Sequence, residues 1–141
     1  MTIVTYALGS CLGITFYDRV RKIGVLLHIM LPNSKDHEKN HTKRAMFLDT
    51  GMEDIIGALA KEGADTRSLE VKVFGGAKVT QADNFFNIGT KNIAAFELLC
   101  QQMRFRVLAK EVGGALNRTI RLSLATGEVS LKMPAQPERI L

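Results

Sequence analysis

Cys11 lies in the turn Gly9-Ser10-Cys11-Leu12-Gly13, between two apolar runs, and His28 lies near the end of the next apolar run. A thiol and an imidazole are the pair that nucleophilic acyl transfer needs. The imidazole takes the thiol proton, the sulfur attacks a carbonyl carbon, and the imidazolium returns a proton to the leaving group. The ion pair so formed would depress the thiol pKa. A thiol at a strand-to-strand corner also has backbone N–H groups beside it, here those of Ser10 and Cys11. They can hold the oxyanion of a tetrahedral intermediate. The flanking Gly9 and Gly13 let backbone or substrate approach closely. A third group must orient the ring. The hydroxyl of Thr5, on the strand entering the turn, is a candidate, and a backbone carbonyl would serve equally.

Each of these residues has a plainer reading. A lone cysteine is more often a small buried hydrophobe, and a histidine in an apolar strand is more often a satisfied core residue. Cys11 departs from the first pattern because it sits at a glycine-flanked corner and not within an apolar stripe. Cys100 fits it, at core spacing in a helical run, and is read as structural. Zinc binding by Cys11, His28, His37 and His41 is a third possibility. No second cysteine is close, however, and the spacing matches no standard finger. No metal and no cofactor is expected. Gly75-Gly76 and Gly113-Gly114 follow strands but precede neither G-K-[ST] nor G-x-G-x-x-G, so they are weak as phosphate loops. They read as tight turns packed against the Cys11 corner, with Gly9, Gly75 and Gly76 as candidates to touch substrate.

The elements that must position these groups follow from periodicity. Strands are expected over Met1–Tyr6, Leu12–Tyr17 and Ile23–Leu31, the last ended by Pro32. Residues 33–41 are polar and read as a surface loop. A helix is expected over Thr42–Leu59, with Ala45, Met46, Leu48, Met52, Ile55, Ile56 and Leu59 on one face and Gly63 beyond its end. Then come a strand over Leu69–Phe74 and a loop over Val79–Gly89. A second helix follows over Thr90–Met103, its face formed by Ile93, Ala94, Phe96, Glu97, Leu98 and Cys100. A strand over Phe105–Val112 and a hairpin around Ala125-Thr126-Gly127 complete the order, with a loosely held tail from Pro134 to Leu141. This is an α+β domain spanning 1–141, a layered sandwich of mostly antiparallel or mixed sheets with two main helices outside.

The 141 residues are 46% hydrophobic and 23% charged, with a net charge of +5. No apolar run approaches the roughly 20 residues that span a bilayer, and no secretory leader pattern is present. Two cysteines without a C-x-x-C pair fit a reducing, cytoplasmic setting. Aromatics are 6% with no Trp, against base stacking and nucleic acid. Seven positive side chains between Arg19 and Arg44 read as a solvated surface or as steering toward an acidic partner. Lys39, Lys43 and Arg44 are the candidates for contact with that partner.

Six motifs occur in order. They are Leu8-Gly9-Ser10-Cys11-Leu12-Gly13, His28 with Met30-Leu31-Pro32, and Lys72-Val73-Phe74-Gly75-Gly76-Ala77. Ile88-Gly89-Thr90-Lys91-Asn92, Val112-Gly113-Gly114 with Arg118, and Thr126-Gly127-Glu128-Val129 follow. From about Thr5 to Lys132 the chain resembles the chemoreceptor glutamine deamidase family, CheD. The resemblance implies hydrolysis of glutamine side-chain amides on methyl-accepting chemotaxis receptors to glutamate and ammonia. It implies Cys11 as nucleophile, His28 as base and Thr5 as the assisting residue. It further implies a layered α/β architecture similar to that of a bacterial toxin deamidase. For some members it implies a CheC-type phosphatase partner held through the same pocket, which leaves a non-catalytic regulator as the alternative. Family members carry a further strand or so ahead of the first motif; a sheet edge exposed near the start of this chain would alter stability or self-association.

Overall fold

A computed structural model describes residues 1–35 and 43–141. Eight strands form two four-stranded sheets. The strands are β1 (Thr2–Leu8), β2 (Leu12–Asp18), β3 (Ile23–Ile29), β4 (Glu70–Gly75), β5 (Arg106–Val112), β6 (Arg118–Ser123), β7 (Val129–Lys132) and β8 (Arg139–Ile140). One sheet runs β1-β6-β7-β8 and the other β3-β2-β4-β5. All pairings are antiparallel except β4 with β5. Two helices, α2 (Gln81–Phe86) and α3 (Ile88–Met103), lie between β4 and β5, as a parallel connection requires. The remaining long helix is α1 (Leu48–Lys61).

β2 explains the layering. All seven of its residues are buried, so both its faces are covered. Leu12, Ile14 and Phe16 pack with Leu48, Met52 and Leu59 of α1 and Phe96 of α3. The alternate residues, Gly13 and Tyr17 among them, face the other sheet. A Cβ on Gly13 would stand 2.8 Å from Leu8 Cδ1 and 3.0 Å from Ile120 Cδ1. Leu8, Phe74, Ile120, Leu122, Val129 and Leu131 fill the space between the sheets. The order is sheet, sheet, helices: the expected layered α+β sandwich.

Several boundaries differ from expectation. β1 reaches Leu8, because a register shift and a positive φ of 51° at Ala7 bend the strand and turn Leu8 into the core. β1 pairs only with β6 and so forms an edge of its sheet. α1 begins at Leu48; Arg44–Met46 is a separate 3-10 turn, and Phe47 between them bridges Leu31 in a parallel pair. The apolar spacing at Ala45 and Met46 therefore belongs to a different element, and Thr42 and the segment 36–42 lie outside the described residues.

α2 was expected as loop. Thr80 and Asp83 form a reciprocal capping box that starts it, and Asn87, in the left-handed region, ends it and opens α3. α3 accordingly starts at Ile88 and not Thr90. Its buried face is Gly89, Asn92 and Phe96, while Ala94, Glu97 and Leu98 are exposed. The tail is not loose. β8 pairs with β7, and Leu141 O accepts hydrogen bonds from Val129 N and from the buried Lys72 Nζ.

Candidate active site

The site is assembled at the end of the two-sheet interface where β2 begins. Gly13 pairs with His28 across the β2–β3 ladder. Cys11 lies two residues before Gly13, so the Cys11 thiol and the His28 imidazole are diagonal neighbours on the inter-sheet face. Gly13 has no side chain between them. The third residue comes from the opposite sheet: Thr5 Oγ1 and His28 Nδ1 are 2.9 Å apart. The Thr5 methyl group also borders the space over Gly13. The threonine thereby occupies one ring nitrogen and leaves Nε2 for chemistry.

Backbone contacts hold the Cys11 turn from behind. Cys11 O accepts from Gly76 N at 2.9 Å, and Gly9 O accepts from Ala77 N at 2.8 Å. Gly75 and Gly76 have positive φ of 109° and 66°, a region that favours glycine. A Cβ at Gly75 would stand 2.1 Å from Cys11 O, and one at Gly89 would stand 2.5 Å from Gly76 O. Gly75 and Gly76 are both buried. Their backbone packs against the Cys11 turn, as the tight-turn expectation had it, and Gly9, half-buried beside Val79, is the more accessible of the three. Arg118, 4% exposed, donates to Gly75 O and Gly113 O and so braces the same turn. The N–H groups of Ser10 and Cys11 enter no backbone pairing among the described residues.

The electrostatics favour neutral partners at rest. Burial pushes the Cys11 thiol above its ordinary value, and the nearby Asp83 carboxylate adds to this; the residue's own N–H pulls the other way. Burial pushes His28 below its ordinary value. Burial thus works against the resting ion pair that would depress the thiol. Cys100 is half-buried against the helical core, and burial pushes its thiol up to about 11, so it is inert.

Sequence reasoning passed over two residues here. Asp83 touches the Ser10 hydroxyl as well as capping α2; its signal was the T-x-x-D spacing. Asn92 is fully buried, and its Nδ2 donates to Ser10 O and Met30 O, both at 3.0 Å. The signal was a polar residue on the apolar side of a helix. Of the proposed zinc ligands, His37 and His41 lie outside the described residues; among the described residues no group of three metal-binding side chains comes together. Arg44, expected to be available to an acidic partner, is paired with Glu53 and Asp54 of α1. A cleft of about 730 Å³ runs along Pro32, Asp49, Lys91 and Leu98, and none of Thr5, Cys11 or His28 lines it.

Residues from two stacked sheets, Cys11 and His28 on one and Thr5 on the other, meet at this end of the interface. Residues 30–133 match the family model described as CheD chemotactic sensory transduction. The chain belongs to the CheD family. A probable chemoreceptor glutamine deamidase CheD 1 from Syntrophus aciditrophicus is 41% identical, covering 99% of this chain and 88% of its own length. A probable chemoreceptor glutamine deamidase CheD from Pyrococcus abyssi is 40% identical over 92% of this chain and 80% of its own. A chemoreceptor glutamine deamidase CheD from Halalkalibacterium halodurans is 34% identical, with 98% and 87% covered. No helix among the described residues is long and apolar enough to cross a membrane.

Proposed function

We propose that this protein is a cysteine-dependent protein-glutamine deamidase acting on methyl-accepting chemotaxis receptors. The observation that carries the reading is the 2.9 Å contact between Thr5 Oγ1 and His28 Nδ1 beside the Cys11 turn. The relatives' name, chemoreceptor glutamine deamidase, supplies the substrate class. As Cys11 Sγ attacks the glutamine amide carbon, its proton passes to His28 Nε2. The N–H groups of Ser10 and Cys11 hold the oxyanion. His28 then gives its proton to the departing nitrogen, which leaves as ammonia, and a thioester remains. His28 next takes a proton from water, the hydroxide attacks the thioester, and glutamate leaves as the thiol re-forms. No cofactor enters the balance. Gly9 borders the scissile amide, while Gly75 and Gly76 back the turn.

The substrate is a protein surface. Val79, Phe85 and Phe86 are exposed, with Val79 against Gly9 and α2 linked to Ser10 through Asp83. That apolar rim suits a helix laid over the site. It equally suits a CheC-type phosphatase helix held by the same pocket, the regulator reading. Two free thiols support a cytoplasmic setting. Incubation with a receptor cytoplasmic fragment, followed by intact mass and ammonia release, tests the reading. Each event adds about one dalton, and Cys11→Ala should abolish it while leaving partner binding. A folded enzyme that leaves a cognate receptor's mass unchanged refutes deamidation.

A further inference from the structure

Asn92 is the one fully buried polar side chain of α3, and asparagine is a poor residue for a helix interior. Both N–H bonds of its amide are used, one on Ser10 O and one on Met30 O. Its Oδ1 is buried without a partner among the described residues, which is an unfavourable state for a polar atom. A leucine would satisfy the helix and the core better. The two carbonyls it holds are those of the residue before Cys11 and of the second residue after His28.

We propose that Asn92 is a positioning residue for the nucleophile: by clamping Ser10 O and Met30 O it aims the Cys11 N–H at the space where the oxyanion forms. The inference rests on the deamidase reading and deepens it. A trans peptide is planar, with its C=O and N–H pointing in opposite directions. Ser10 O and the Cys11 N–H belong to one peptide. With the carbonyl drawn toward α3, the N–H points away from the helix, toward the open side of the turn. The next peptide is fixed as well, because Cys11 O accepts from Gly76 N. Both peptides flanking the Cys11 Cα are therefore held, one by α3 and one by the end of β4. The Met30 contact fixes a second quantity, the offset between the β3 exit and the Cys11 turn, hence between base and nucleophile. The pairing needs two donors on a single nitrogen, and among neutral side chains only a carboxamide has them.

The test is iodoacetamide alkylation across pH, read on the Cys11 and Cys100 peptides by mass, in wild type, Asn92→Asp and Asn92→Ala. The titratable groups beside the Cys11 thiol, Asp83 and His28, are unchanged in all three. Asn92→Asp keeps the shape without the donors. Asn92→Ala adds no charge, so agreement between the two separates the lost donors from a new carboxylate, and Asn92→Asp carries the test if the alanine variant does not fold. The expected result is a rise of about one unit in the pH midpoint of Cys11 alkylation with Cys100 unmoved. On a receptor fragment, kcat should fall about 100-fold with KM within about threefold. A wild-type Cys11 profile, or equal shifts at both cysteines, overturns the proposal, since the latter is general loosening. A Cys11-only shift in variants of a wild type that releases no ammonia upholds Asn92 and sinks the deamidase reading alone.

Discussion

Replacing Gly75 by alanine puts a methyl group against Cys11 O, one of the two backbone oxygens through which the Cys11 turn is held from behind. The new Cβ would meet Cys11 O at 2.1 Å, with Cys11 C at 3.2 Å and Leu12 Cα at 3.3 Å, all main chain and none able to rotate away. Relief takes about 1 Å of movement in the Cys11 turn, since tolerated Cβ contacts begin near 3.0 Å. The φ of 109° adds strain of roughly 1–2 kcal/mol for any L side chain. Stretching the hydrogen bond from Gly76 N to Cys11 O adds about 1 kcal/mol. The sum, roughly 2–3 kcal/mol, corresponds to a fall in Tm of about 10 °C. A displacement of about 1 Å at the attacking atom costs on the order of 100-fold in kcat. The control is Gly113→Ala, with a φ of 82° but nothing within 4 Å of its Cβ. It should show the strain alone, a few degrees in Tm, with kcat near wild type. Thermal denaturation by circular dichroism and ammonia release at 20 °C below the lower Tm read the two effects separately. Wild-type kcat in Gly75→Ala, or equal damage from Gly113→Ala, would refute the claim that close backbone contact at Gly75 positions Cys11.

Thr5→Val removes the hydroxyl and keeps the shape, so kcat should fall about tenfold with an unchanged Tm, while Thr5→Ser retains most activity; steady-state ammonia release on a receptor fragment distinguishes them. His28 titrates below its ordinary 6.5 because burial disfavours the imidazolium. If His28 is the base, the acid limb of kcat/KM should have its midpoint below 6.5. The same sign applies to folding: the neutral ring's share of stability is present above 6.5 and is lost as pH falls through the lowered value. A limb centred above 7 in the pH–rate profile would mean that a carboxylate, not burial, governs the ring.

The Cys11 turn, the position of His28 and the β2–β3 hairpin were legible in the sequence because each rests on local pattern: a glycine-flanked cysteine, a continuous apolar run, a polar connection. Pairing Gly13 with His28 follows once those two strands are adjacent. Thr5 was legible only as a nearby hydroxyl, since its approach to His28 depends on the stacking of two sheets, which no single strand encodes. α2 was missed although its capping box stands in the sequence at Thr80 and Asp83. Six residues are too few for helical periodicity to emerge. The start of α1 was misplaced because Ala45 and Met46 continue the apolar spacing by coincidence across Phe47. Asn92 and Arg118 were invisible as supports because their work is on main-chain carbonyls distant in sequence.

The hydrogen bond between Thr5 and His28 joins strands that belong to different sheets, and the ladders within each sheet do not control it. The two sheets behave as stacked plates, and this contact is a dowel between them. Their separation is set by side-chain volume at Gly13, Leu8, Ile120 and Phe74, none of which performs chemistry. A repacked interior that thickens the gap by one methyl group could keep its melting point and still draw the dowel out. Selection for activity in such an enzyme is then selection on plate spacing, and stabilising substitutions gathered without an activity screen would be expected to drift out of tolerance there first.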